Sequence, residues 1–230
     1  IQRRSVRIEF DDGFSIDAIP AFIIADAPNG NELYEIPDKV LGRYIQSNPK
    51  RHREILVNCV QGDQLSKLRD IVKLTRRWKR DAFTANEESP KSFHLETIVI
   101  NLLEGSTLGS HVEELERCFK ELPQFFHKPQ LPDPACPNQE QQDQWIDAYL
   151  LDLNEEEKAL IIGRINEATS HLTEARKLES EGRIVPAIER LRNIYPDLPE
   201  QEPEKLLRER KKSYSKPVHA TGTAKPWQQK

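Results

Sequence analysis

Residues 5–22, SVRIEFDDGFSIDAIPAF, alternate apolar and polar side chains on both sides of a short turn, and no other stretch limits the fold as strongly. Val6, Ile8 and Phe10 share one face of the first run, and Phe14, Ile16 and Ala18 share a face of the second. A repeat of two is the signature of a strand. Asp11-Asp12-Gly13 ends in the residue that enters positive φ at least cost, so the segment reads as a β-hairpin with a three-residue loop. Its apolar face is expected to pack on a core. Asp17 falls on the opposite side with Ser15, an anomaly because carboxylates are poor strand formers. If the loop pairs Phe10 with Phe14, Arg7 lies opposite Asp17, and a cross-strand ion pair accounts for both residues.

Beyond the hairpin the pattern changes. Pro28-Asn29-Gly30 signals a turn and Tyr34 to Ile36 suits a short strand, while the rest of the stretch from Pro20 to Asn48 reads as an irregular connection. From Pro49 the period becomes helical: Leu65, Leu68, Val72 and Thr75 form one stripe, and Phe93, Ile98, Val99 and Leu102 another. Prolines at 123, 129, 132, 134 and 137 exclude a continuous helix through LPDPACPNQ. Helix resumes after Asn154, a capping residue followed by three glutamates suited to the positive end of the helix dipole, and runs to Gly182. A shorter helix from about Pro186 ends before Pro196. This pair imitates a single tetratricopeptide-like unit, but the period does not recur and one unit cannot bury its own face. Past Pro199 apolar content falls away into a basic tail, read as disordered. The fold class is therefore α+β, with strands over residues 1–48, a mostly helical lobe over 49–199 and the tail over 200–230.

Composition narrows the function classes. A chain of 230 residues that is 37 % hydrophobic suits one large domain or two small ones. No apolar run approaches the roughly 20 residues that cross a bilayer. Cys59, Cys118 and Cys136 are odd in number and contain no C-x-x-C pair, which argues against a disulfide framework or zinc ribbon and fits a reducing cytoplasm. A formal net charge of −4 means that nucleic-acid binding would need a local basic surface. The chain opens on Ile1 and contains no methionine, so it reads as the back part of a longer protein.

Several clusters suit chemistry. In QLSKLRDIVKLTRRWKR, Arg69, Lys73, Arg76 and Arg80 share one side of a helix, a stripe that can hold phosphates or simply solvate a face. In SPKSFHLE, Pro90 and Ser92 stand where a helix begins, so the Ser92 hydroxyl and nearby amides suit an anion or an ordinary cap. His94 and Glu96 have no partner at metal-ligand spacing and read as structural. In LPDPACPN, Asp133 and Asn138 sit on a rigid loop that suits hydrogen bonds to a base edge, or that only joins helices. Gly109-Ser110 before Glu114 and Glu116 imitates a glycine-serine turn with paired acids. Those acids follow a helical pattern only four residues after the serine, so the match is set aside.

In this order, VRIEF-DDG-FSIDAIPAF, GRYIQSNPKRH, LRDIVKLTRRWKR, KSFHLE, PDPACPN and EGRIVPAIERLRNIYPDLP span about residues 5–200. The series resembles the cyclic-oligonucleotide-synthase branch of the DNA polymerase beta-like nucleotidyltransferases, the group of cyclic GMP-AMP synthase, oligoadenylate synthase and the bacterial CD-NTases of anti-phage signalling. The resemblance implies a cytoplasmic, magnesium-dependent enzyme, with manganese as an alternative, that joins nucleoside triphosphates and releases pyrophosphate. Its product would be a cyclic di- or trinucleotide second messenger in antiviral defence.

In such enzymes two Mg²⁺ ions about 4 Å apart are held by three strand-borne carboxylates. Asp17 matches the third, which implies that it is both a catalytic residue and a metal ligand. By the same resemblance Lys73 or Arg76, with Ser92, contacts the triphosphate, and Asp133 contacts a nucleobase. The family's lysine two residues before the tryptophan is replaced by Arg76, whose planar fork binds phosphate differently from a point charge. The glycine-serine turn and the first two carboxylates have no counterpart here and are expected upstream of Ile1. The chain is accordingly expected to be the end of a catalytic palm sheet plus a helical lobe, inactive by itself. No membrane partner is implied, a nucleic-acid activator is left open, and the tail is a place for a protein partner. Two other readings stand beside this one: a non-catalytic helical interaction or nucleic-acid-binding module that uses the basic stripe with Lys211 and Lys212, and a linear RNA-extending transferase.

Overall fold

The hairpin forms with the register the alternation predicts. Strands β1 (Val6–Glu9) and β2 (Ser15–Ala18) pair antiparallel, with Val6 opposite Ala18 and Arg7 opposite Asp17. Phe10 N–H donates to the Phe14 carbonyl at 2.8 Å, and Gly13 takes φ +81° in the loop. Arg7 Nε donates to Asp17 Oδ1 at 3.2 Å, so the cross-strand ion pair exists. The expected core behind the hairpin does not. Val6, Ile8, Phe10, Phe14 and Ile16 are between 44 and 57 % exposed, because β1 and β2 form a sheet of their own and no described layer covers their apolar face.

The computed structural model describes residues 4–26, 32–40, 42–135 and 145–198. The Pro28-Asn29-Gly30 turn, Cys136, Asn138 and the tail with Lys211 and Lys212 lie outside the described residues. Ile1–Pro196 make one compact unit and Asp197–Lys230 a second, of which two residues are described.

The stretch read as an irregular connection is instead a three-stranded antiparallel sheet, β3 (Phe22–Asp26), β4 (Glu32–Asp38) and β5 (Arg43–Ser47), with β4 central. Pro37 within the central strand hid it, since proline ordinarily argues against such a position. Ile36 and Ile45 face each other across β4 and β5 and are both buried. Arg4 Nε bonds the buried Asp38 carboxylate at 2.8 Å, tying the entry of the hairpin to the end of β4.

Among the described residues six α-helices follow: α1 (Pro49–Asn58), α2 (Leu65–Ala82), α3 (Ser92–Leu103), α4 (His111–Glu121), α5 (Glu155–Ser180) and α6 (Ile184–Arg192). α3 carries Leu95, Ile98, Val99, Ile100 and Leu103 and is buried nearly all round, the expected fate of a helix without a polar face. α2 and α4 are amphipathic; α2 packs along α3 and meets α4, with Leu68, Ile71 and Val72 buried on one and Leu115 and Phe119 on the other. Trp78 on α2 meets Phe119 edge-on at 4.9 Å and Phe83 at 5.7 Å. α5 starts with a full capping box between Asn154 and Glu157. Ser110 caps α4, and Glu114 accepts the Gly109 N–H at 2.6 Å, so the glycine-serine imitation is a helix start. The Cys59 and Cys118 thiols are pushed up by burial to about 11 and about 12, which makes both unreactive packing residues. Among the described residues no helix is long and apolar enough to cross a membrane.

α4 and α5 are joined by a buried carboxylate. Glu116 accepts from Lys120 at 2.6 Å, Arg176 at 2.8 Å and Thr173 at 2.9 Å. Burial alone would raise its pKa, but these donors outweigh that and hold it at about 2. A carboxyl whose folded value is depressed stabilises the fold fully above its unfolded value near 4.5, and that contribution is lost as pH falls toward 2. Glu116→Gln is expected to cost about 2 kcal/mol in urea unfolding at pH 7 and to flatten the decline in stability between these two pH values. An unchanged acid limb would refute the assignment.

Candidate functional site

A groove of about 530 Å³ opens where the hairpin, the second sheet and the start of α3 meet. Asp17 and Ile19 supply one edge, Gln46 and Ser47 from the end of β5 the floor, and Lys91, Phe93, Asp133 and Tyr149 the facing wall. Asp17 reaches it because the strand period that turns Ile16 and Ala18 one way turns the carboxylate the other. Its side chain is 43 % exposed while bonded to Arg7, so a single orientation serves both the ion pair and the groove.

Asp133 is held on the proline-rich loop by two contacts. Its Oδ1 accepts the Ala135 N–H at 2.9 Å and lies 3.1 Å from His52 Nε2. The His52 ring meets Phe93 edge-on at 4.7 Å, which fixes the imidazole in turn. Lys91 sets its ammonium 5.4 Å from the centre of the Tyr149 ring.

Ser92 is the first residue of α3 rather than its cap, and its hydroxyl accepts from Lys79 Nζ at 3.3 Å. Burial lowers the Lys79 pKa first, and the neighbouring charges of Lys91 and Arg76 lower it further. Three cations therefore converge beside a helix start whose first amides have no acceptor within the helix, an arrangement that attracts an anion. Arg76 also lies 3.9 Å from Glu96 on α3. Lys73 does not line the groove; it extends into solvent, 3.5 Å from Asp70.

The residues singled out from sequence are thus partly assembled. Asp17 and Asp133 line one groove, Ser92 stands between two lining residues, Arg76 adjoins through Lys79, and Lys73 stays apart. Lys79 and Lys91 were missed. Lys79 follows the buried Val72 and Thr75 by seven and four residues, a spacing that places it at the margin of the buried face, whereas the chosen stripe lies further round the helix. Among the described residues no group of three or more His, Cys, Asp or Glu could hold a metal ion. One strand carboxylate does not hold two magnesium ions, so these residues alone do not fit such a centre.

A scan against protein-family models gives no match, and a search of curated proteins gives none. Solved structures do match, and the fold they define is that of the cyclic-oligonucleotide synthases, α+β with small antiparallel sheets leading into helices. Among the particular proteins are a di-nucleotide cyclase and CdnC. The Vibrio cholerae di-nucleotide cyclase DncV, in a D-loop deletion mutant, superposes with TM-score 0.59 at 16 % identity over 86 % of this chain and 50 % of its own. The same cyclic AMP-GMP synthase with a linear intermediate gives 0.58 and 17 % over 86 % and 52 %. Escherichia coli CdnC with ATP gives 0.54 and 16 % over 82 % and 63 %. At these identities the likeness is one of fold. The chain spans about half the length of DncV.

Proposed function

We propose that the groove binds a nucleoside triphosphate as part of a nucleotidyltransferase that makes a cyclic di- or trinucleotide. The observation that carries this reading is that Asp17, Asp133 and Lys91 face one groove, beside the Lys79–Ser92 contact, in a chain with a cyclase fold. Lys79, Lys91 and Arg76, with the Ser92 hydroxyl and the first amides of α3, grip the polyphosphate. Lys73 adds only long-range attraction. Asp133, steadied by His52, accepts from an N–H of the base. A 2′- or 3′-hydroxyl then attacks the α-phosphorus and gives its proton to solvent, an O–P bond forms, the bond to the β-phosphate bridging oxygen breaks, and pyrophosphate leaves.

Asp17 contributes one ligand to a magnesium site whose other carboxylates come from outside these residues. The bare apolar face of the hairpin supports that division, because a layer of further chain packed on it would bury that face. Residues 1–48 are then palm strands, 49–199 the helical lobe and 200–230 a tail open to a protein partner. The 230 residues alone form no product. A cytoplasmic role in anti-phage signalling belongs to the same reading.

Calorimetric titration tests it. ATP is expected to bind more tightly than AMP, and AMP more tightly than adenosine. Lys79→Ala with Lys91→Ala should raise the ATP dissociation constant by about 10- to 100-fold, the worth of one or two charge-assisted bonds, and leave adenosine nearly unaffected. Equal affinity for ATP and adenosine would overturn the reading. Binding of RNA that follows Lys211 and Lys212, with ATP ignored, would favour a nucleic-acid module instead.

A further inference from the structure

Behind the groove runs a polar chain that neither the ion pairs nor the phosphate cradle uses. Asp147 and His94 are both fully buried. Asp147 Oδ2 accepts the Gln130 N–H at 2.7 Å and the Leu131 N–H at 3.0 Å, clasping the start of the loop that carries Asp133. His94 Nε2 lies 4.0 Å from the same oxygen, an electrostatic contact rather than a hydrogen bond. His94 Nδ1 is 3.0 Å from the Tyr149 hydroxyl, which also accepts the Lys91 N–H at 3.3 Å.

Protonation states follow from this order. Burial pushes His94 down to about 4, so it is neutral at pH 7, with one donor and one acceptor nitrogen. The Tyr149 oxygen accepts from the Lys91 N–H and keeps a second lone pair and its own hydrogen, so it pairs with either tautomer of His94 at Nδ1. Burial raises the Asp147 pKa while the Gln130 and Leu131 amides lower it. His94 Nε2 and Asp147 Oδ1 make no hydrogen bond among the described residues, a cost that a purely packed core would avoid by using apolar groups.

We propose that Asp147, His94 and Tyr149 are positioning residues, a strut that couples two edges of the groove: the Asp133 loop and the Lys91–Ser92 start of α3. The first edge lies outside regular secondary structure and the second is a helix terminus. The loop is broken by Pro129, Pro132 and Pro134, and Lys91 precedes the first helical turn with no side-chain cap. The strut fixes both to the rigid body of α3 and sets the spacing between a base contact and a phosphate contact. Its functional meaning rests on the triphosphate reading above; its geometry does not.

The experiment uses the full chain without ligand, followed by amide hydrogen exchange at residues 91–94 and 130–133, and then by ATP calorimetry. Tyr149→Phe keeps the ring beneath Lys91 and removes only the hydroxyl. It is expected to speed exchange of the Lys91 amide about tenfold, to speed Gln130 and Leu131 measurably, and to weaken ATP about fivefold. Asp147→Asn should act in the opposite direction, fastest at 130–131 and measurable at Lys91. His94→Asn keeps a polar group able to bond the Tyr149 hydroxyl and should retain Lys91 protection, whereas His94→Leu should not. Effects confined to each variant's own edge would overturn the strut, and so would coupled exchange with unchanged ATP affinity in a chain that binds ATP. If the unsubstituted chain binds no ATP yet shows coupled exchange, the proposed function fails and the coupling stands.

Discussion

Asp17→Asn, introduced into a nucleotidyltransferase that contains these residues together with the remaining palm carboxylates, is expected to reduce product formation at least 100-fold. Asparagine keeps the size and one oxygen but removes the charge that a divalent cation requires. The fold should be unaffected, because Asp17 is 43 % exposed and exposed ion pairs contribute about 0–1 kcal/mol. Arg7→Gln is the necessary control. If Asp17 served only to pair with Arg7, both substitutions would have the same small effect. If it faces metal, only Asp17→Asn abolishes synthesis. Labelled triphosphates at saturating magnesium, with phosphatase treatment to separate cyclic from linear products, give the answer, and full synthesis by the asparagine variant would remove Asp17 from the mechanism.

The hairpin was legible in detail because its register depends on local chemistry: alternation, a glycine at positive φ and a charge pair opposite one another. Its solvation was not, since the same alternation describes a ribbon that waits for a covering layer and one that already has it. Residues 20–48 hid a sheet because Pro37 occupies a central strand, where the pairing of Ile36 with Ile45 outweighs the lost donor. The helices from Pro49 onward followed their periodicity and caps closely, as for Asn154 with Glu157.

Site residues divide along the same line. Asp17 stands out in sequence because a carboxylate is unexpected in a strand, whereas Ser92 and Asp133 stand out through the SPKSFHLE and LPDPACPN segments that carry the family resemblance. Lys79 and Lys91 do not, since lysine beside a helix end is common and only the approach of α3 to α2 gives these two a shared neighbour in Ser92. His94 and Asp147 lie 53 positions apart, and nothing local in either segment announces that they meet.

Trp78→Ala is expected to have the largest effect on stability, about 3–5 kcal/mol. The indole is 2 % exposed and edges against both Phe119 on α4 and Phe83 just past the end of α2, so truncation removes an aromatic contact that joins α2 to α4. Edge-on aromatic pairs add to the loss from burial alone. For a chain of this size the melting temperature should fall by roughly 6–20 °C. Lys79 is the next residue, and its bond to Ser92 requires α2 to keep its present rotation against α3, so the loss should also be felt at the groove. Trp78→Phe retains a ring in the same slot and should recover more than half of the stability. Urea unfolding of both variants decides the point: a cost below about 1 kcal/mol for alanine would mean that α2 is held by its aliphatic stripe alone, and that the phosphate cradle does not depend on this aromatic cluster.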